Sequence, residues 1–354
     1  MAIEPSAQEQ GLIDQYALAW IEANEDRTVS AGGHLRSYAE SLEKERADAT
    51  KAVERLISSG KGEALKALDE HWGRVKDLFS QTGRAAIVIA VEIQGHGDTI
   101  VIGKHHAQDL LAHLASTPAG IGSTDAEQSR PKEQQAVITR QELQVNADTA
   151  LTDTKAGAAR AKGDPDVTAL GGIPATVAGL LGGGGTGRGI GTGVAPGIAG
   201  GAEGGMNGIA GGGAGGGAGS GGGGWGIRGS SESAHGNPQV GTNAGNWSIF
   251  VNQDEHKRAA NGLSTTAEDL YGTTTQSLAR ARHDLDTLAA GGSLGASIAA
   301  GHTPLLDQLD SATRALADHL DGPLRDLVLS MSTDQQKTDE ANGERIGWLN
   351  GPRP

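Results

Sequence analysis

The sequence predicts an all-α protein, with helical-hairpin or bundle regions at both ends joined by a glycine-rich linker expected to be disordered. Three observations lead there. Leucine, alanine and valine recur in steps of three, four and seven near both ends. Aromatic residues make up only 3% of the 354, so a core must be built from slim helices rather than a thick α/β sandwich. Glycine accounts for 57 residues, and 33 of them fall between Gly171 and Gly245, where there is almost no apolar surface to offset the entropy of ordering a backbone.

The first region, residues 1–118, opens with Leu12, Ile13, Tyr16, Ala17, Trp20 and Ile21 at helical spacing, which predicts a helix before Asn24. A longer helix follows from about Arg27 to Ile57. Its apolar stripe is Leu35, Tyr38, Leu42, Ala49, Val53 and Leu56, and the charged run Glu43 to Asp48 is its solvated face. Ser58 to Gly62 breaks it. A third helix carries Leu65, Leu68, Trp72, Val75 and Phe79 on one side, and the Ala85 to Val91 run and the Leu110, Leu111, Leu114 cluster extend the bundle. Residues 119–170 read as a polar connector, in which Glu133 to Leu151, with helix formers but a thin apolar stripe, is either a marginal helix or an exposed stretch. The linker is placed at 171–245. Its glycines keep no three-residue period, which excludes a collagen helix.

The last region, 246–354, carries two long stripes. One is Leu263, Ala267, Leu270, Thr274, Leu278, Ala281, Leu285 and Leu288. The other is Leu305, Leu309, Thr313, Leu316, Leu320, Leu324, Leu327, Met331 and Asp334. With Ala290 to His302 read as a Gly/Ser/Ala loop, they predict an antiparallel hairpin. Pro323 is expected to kink the second arm or to start a new helix capped near Asp321.

Charge and composition exclude several function classes. A formal net charge of −14 repels phosphate backbones and anionic lipid, so no nucleic-acid partner is expected. The absence of cysteine removes thiol catalysis, disulfides and thiolate metal sites. The first ten residues have neither a basic nor an apolar region, so no signal peptide is expected. The Ala85 to Val91 run, ended by Glu92, is too short for a transmembrane segment.

Motif matches dissolve on their context. Gly-x-Gly-x-x-Gly spacings within Gly182 to Gly191 lack the preceding strand and following helix of a nucleotide fold. His96, His105, His106 and His113 lie close in sequence, but no His-Glu-x-x-His pattern makes them a metal site, and surface histidines are the simpler reading. Gly291-Gly292-Ser293-Leu294-Gly295 matches Gly-x-Ser-x-Gly, yet it falls between two helical stripes rather than on a strand-to-helix turn. No catalytic, cofactor-binding or metal residue is therefore assigned. Trp20 and Trp72 are expected in helix packing, although tryptophan also anchors partner helices.

Gly33-His34-Leu35-Arg36-Ser37-Tyr38-Ala39, Ala52-Val53 and Ser58-Ser59-Gly60-Lys61-Gly62-Glu63-Ala64-Leu65 together resemble the WXG family of type VII secretion substrates, in which two helices flank a Trp-x-Gly turn. Gly62 matches the turn glycine, and Gly60 stands where the tryptophan is expected. The stretch from about Ala259 to Ile346 resembles the related EspC-like family of type VII exported proteins, and the glycine-rich middle is similar to low-complexity regions of other substrates. None of the five tryptophans is followed by x-Gly. The family export signal Tyr-x-x-x-Asp/Glu is also missing: Tyr16, Tyr38 and Tyr271 are followed four residues later by Trp20, Leu42 and Thr275.

The resemblance implies a non-enzymatic, type VII secretion-associated protein, exported by that non-classical route or bound to the system, and acting through helix–helix contacts. Its implied partners are helical proteins: small WXG-like proteins, the secretion machinery, or a second copy. The alternative is a cytoplasmic helical scaffold unrelated to secretion. On either reading Leu35, Leu42, Trp72, Leu278, Leu285, Leu316 and Leu327 form the helix-packing or partner face; the resemblance further implies that Gly60 and Gly62 form the WXG-like turn. The N-terminal helices around Leu42 and Trp72 are expected to dock on the C-terminal hairpin, within one chain or between two, unless each serves an outside partner.

Overall fold

The first helix begins at a capping box. In a computed structural model, which describes residues 2–60, 63–117, 125–182 and 253–333, Ser6 precedes α1 (Ala7–Tyr16). The Ser6 hydroxyl accepts from the Glu9 amide at 3.3 Å, and the Ser6 amide donates back to the Glu9 carboxylate at 2.6 Å. α1 ends at Ala17, whose φ of 49° turns the chain through the left-handed region. The Asn24 side chain caps α2 (Glu25–Ser58) by accepting from the Asp26 amide. The break expected at Ser58 to Gly62 separates α2 from α3 (Glu63–Ser116).

α3 is one continuous helix of 54 residues, about 80 Å long at 1.5 Å per residue. The three apolar segments read from the sequence are turns of this single helix. By length and composition its stretch Ala64–Ser116 would also suffice to cross a membrane. Its inward face, from Trp72 through Ile100, is instead core of the bundle.

α4 (Asp125–Gly163) is the main departure from the expected polar connector. It is a full helix of 39 residues that packs along α3 and α9. Its buried seam is Ala136, Thr139, Leu143, Ala150, Thr154, Ala158 and Ala161. Small residues at helical spacing let the backbones approach, and they carry little hydrophobicity to betray it. Asp164 then caps α5 (Pro165–Leu170), with Pro165 in the first turn, where its missing N–H costs nothing. The linker expected at 171–245 does not begin there: α6 (Ile173–Gly182) buries Ile173 and Val177. The rest of that expectation, 183–245, lies outside the described residues.

The C-terminal hairpin has longer arms than its composition suggests. α7 (Gln253–Asp269) passes through a π turn (Leu270–Thr274) into α8 (Thr275–Ala289). The whole stripe from Leu263 to Leu288 is buried. The Gly/Ser/Ala loop expected at Ala290 to His302 is a correction: the connection is Ala290 and Gly291 alone, and α9 (Gly292–His319) contains the rest. Gly292 adopts φ +73°, where a side chain would be strained. A Cβ on Gly295 would stand 2.0 Å from the Leu288 carbonyl oxygen. Glycines in this stretch thus make a tight corner between two helices.

A second π turn (Leu320–Leu324) contains Pro323, and the chain stays helical through 325–333. No new helix starts at Pro323: a widened turn accommodates a residue that lacks an N–H and would clash with the preceding turn. The buried stripe continues as Leu320, Leu324, Val328 and Met331.

Among the described residues every regular element is helical, and all of them belong to one compact unit. α2 packs against α3, α7 and α8, while α9 packs against α8, α3, α4 and α6. One apolar core takes residues from both ends of the chain. A smaller one, around Leu12, Leu18, Leu111, Leu114 and Leu143, seals the far end of α3. Because the core is shared, cleavage at a protease site inserted within 183–252 should leave the two halves co-eluting as one species on size exclusion. Separate elution of two folded fragments would contradict a shared core.

Candidate interaction faces and buried polar joints

The residues assigned to the helix-packing or partner face fall into two groups. Leu35, Leu42, Trp72, Leu278, Leu285 and Leu316 are all buried in the single large core. Leu327 is not: it is 41% exposed, while its neighbours Leu324 and Val328 are buried. The π turn lengthens the local repeat, so the inward position after Leu324 falls at Val328. Gly60 is exposed at the end of α2, and Gly62 lies outside the described residues. Trp20 packs against the smaller cluster, whereas Trp72 is fully buried in the main core with Phe79 beside it.

Polar contacts join the two ends at several points along α2. At its start Arg27 holds the buried Asp284 of α8 at 2.9 Å, with His34 Nε2 3.6 Å from the same carboxylate. In the middle, Tyr38 is completely buried against α9. The Tyr38 and Thr313 hydroxyls are 2.5 Å apart, and both also lie within hydrogen-bond reach of the Leu309 carbonyl, at 3.4 and 2.8 Å. Burial pushes the Tyr38 phenol well above its usual range and keeps it protonated. Near the end of α2, Arg55 pairs with Glu255 of α7 at 2.7 Å.

A further joint secures the N-terminal segment ahead of α1. Lys104 of α3 is only 1% exposed. Its ammonium donates to Glu25 at 2.8 Å and to the Ile3 carbonyl at 2.9 Å, and the Ile3 amide donates to the other Glu25 oxygen. Burial alone would raise the Glu25 carboxyl, but the hydrogen bonds from Lys104 and the backbone outweigh it and hold the group below its ordinary value.

The histidines do not gather as a metal site. His105, His106 and His113 are exposed, whereas His96 is buried against His302. Among the described residues no three His, Asp or Glu side chains are placed to hold a metal ion. Ser293 of the Gly-x-Ser-x-Gly match is exposed in the first turn of α9, at a helix–helix corner.

Two of the open grooves among the described residues have largely apolar walls. One, of about 700 Å³, lies between α2, α3 and α5 and is lined by Ala39, Leu42, Phe79, Ile87 and Val88. The other, of about 630 Å³, is lined by Leu68, His71, Leu180, His319 and Met331 beside the second π turn. Lys104, Glu25, Asp284 and the His71–His319 contact are absent from the sequence-based assignment. The only signal available was their polarity at positions in step with an apolar stripe. No family model, curated protein or solved structure matches this chain.

Substitution separates the two kinds of leucine. Leu316→Ala should cost about 2–5 kcal/mol by thermal or denaturant unfolding, whereas exposed Leu327→Ala should stay within about 0.5 kcal/mol. Lys104→Met leaves Glu25 buried without its partner and should cost about 3–5 kcal/mol. Because the Glu25 pKa is lowered in the folded state, its contribution is present above its ordinary value of 4.5 and lost as pH falls through the folded value. The destabilisation measured for Glu25→Gln should therefore shrink below about pH 4.

Proposed function

We propose that this chain is a non-enzymatic, type VII secretion-associated protein, exported or bound to the system, in which two hairpin-bearing ends serve each other as partner. The observation that carries the reading is the shared core of the α2–α3 hairpin and the α7–α9 hairpin. WXG-like hairpins are expected to work in pairs, because a two-helix hairpin leaves one apolar face to cover. Here α2 is covered by α7 and α8, and α3 by α9. The break between α2 and α3 falls where the resemblance places the turn. The six buried packing residues are then occupied within the chain. A small WXG-like protein or a component of the machinery would meet other surfaces, such as exposed Ile87 and Val91 beside the 700 Å³ groove.

The second reading, a cytoplasmic helical scaffold, is favoured by the missing Tyr-x-x-x-Asp/Glu signal. On the first reading that signal comes from a co-exported partner. The two separate by fractionation in the native host. An epitope-tagged chain should appear in the culture filtrate and disappear from it when the type VII ATPase is deleted. Retention in the lysate of both strains, with a known substrate exported normally by the parent, would favour the scaffold.

A further inference from the structure

Four of the eleven histidines meet in two pairs across one helix–helix joint. His71 and His96 lie on α3; His302 and His319 lie on α9. At the first pair the two Nε2 atoms are 2.8 Å apart and the ring centres 5.0 Å apart. Those distances put the nitrogens head to head on the line between the rings, as in an N–H···N hydrogen bond, and leave no room for a shared metal ion. Nδ1 of His319 is buried and has no hydrogen-bond partner among the described residues. His319 therefore carries its proton on Nε2 and donates to His71, since the reverse tautomer would bury an orphan N–H.

At the second pair the rings meet edge to face, with centres 5.0 Å apart. His302 is fully buried and its Nδ1 lies 2.9 Å from the Ile298 carbonyl, so Nδ1 bears the proton. Its Nε2 and that of His96 are both buried without a partner among the described residues.

We propose that the α3–α9 joint is a proton-operated latch, closed while these four imidazoles are neutral and opened when they take up protons. A buried charge without a partner is expensive, and two imidazolium ions facing each other repel. The His71–His319 contact can share one proton, but a second forces the rings apart. The His96–His302 contact has no hydrogen bond between its rings in which to hold even the first.

At the His96–His302 pair the surrounding charges give little relief. Around His96 and His302 stand Glu92 of α3 and Arg160 and Lys162 of α4. Glu92 is the only anion among them, and both its oxygens are engaged by Arg160. Around His71 and His319 stand Glu70 and Arg74 of α3 and, beyond the second π turn, Asp326. α6 contributes the uncharged Leu180. Burial lowers all four imidazoles. His96 falls to about 4, helped by His302 and Arg160, and His319 to about 4, helped by His71.

The sign follows from those depressed values. The unfolded or opened chain binds protons near the ordinary histidine value of 6.5 while the closed joint does not. Stability is therefore full above about 6.5 and is lost as pH falls toward 4. Most of this window lies above the titration of the lowered carboxylates Glu43, Asp48 and Asp166.

Hydrogen exchange of the full chain, corrected for the intrinsic pH dependence of exchange, reads the latch directly. Between about pH 7 and about pH 5, exchange in peptides from α9 and from the facing part of α3 should rise at least tenfold, roughly one pKa unit's worth. His96→Leu with His302→Leu, and separately His71→Gln with His319→Leu, should each shift the opening midpoint by about one pH unit or more toward acid. The exposed pair His105→Asn with His106→Asn should leave it in place. If one buried double variant fails to fold, the other decides. An unchanged α9 in acid, or an unchanged midpoint in a folded buried variant, or an equal shift in the exposed control, overturns the latch.

Discussion

The constraint on which this bundle depends is the covering of one very long helix. α3 has 54 residues, and α2, its hairpin partner, has 34. Running back from the turn near residue 60, α2 reaches its start where Thr28 meets Gly97 and Gly32 meets Gln94. Beyond that point the apolar face of α3 continues through Ala107, Leu111 and Leu114 without α2 beside it. The chain solves this by sending α1 and α4 to the exposed end. Two apolar clusters result, and the buried Lys104–Glu25 contact sits where the first helical cover runs out.

The same logic explains which features were legible in the sequence. Leucine stripes identify burial well, so α2, α7 and α8, and α9 from Leu305 onward, follow from spacing alone. α4 was hidden because its seam is alanine and threonine with one leucine. Such a seam buries little area per residue, and it stabilises by close approach to α3 and α9. The corner at Gly291 was hidden for a related reason. Glycine and serine there read as loop, but the glycines admit the Leu288 carbonyl to the first turn of a helix. Leu327 was misplaced because a π turn alters the helical repeat, and no local sequence rule shows that Pro323 is absorbed in this way. The start of α1 is also written in the sequence, as the capping box of Ser6 and Glu9.

What no spacing rule could supply is the joining of positions hundreds of residues apart. Tyr38 and Thr313 are separated by 275 residues, and Arg27 and Asp284 by 257. Each half presents an amphipathic hairpin, and from periodicity alone each could face a foreign partner. The covalent connection between the halves raises their effective concentration for each other, and the entropy of closing such a loop grows only slowly with its length. An external helix would therefore compete at a disadvantage for the same faces.

Apolar stripes of leucine and alanine leave one ambiguity, because a helix can slip along its neighbour by a turn or a heptad and still bury much the same area. The polar joints resolve it for α2. Arg27, Tyr38 and Arg55 lie at its beginning, middle and end, and they meet Asp284 of α8, Thr313 of α9 and Glu255 of α7. A slip of one turn would strand the Tyr38 hydroxyl and the Asp284 carboxylate in an apolar interior, at the cost of uncompensated polar burial. Each contact adds little net stability by comparison, since desolvation offsets most of the gain. Their value lies in the penalty they impose on every other alignment. Thus the leucines make the two halves adhere, and three polar contacts determine where along α2 they do so.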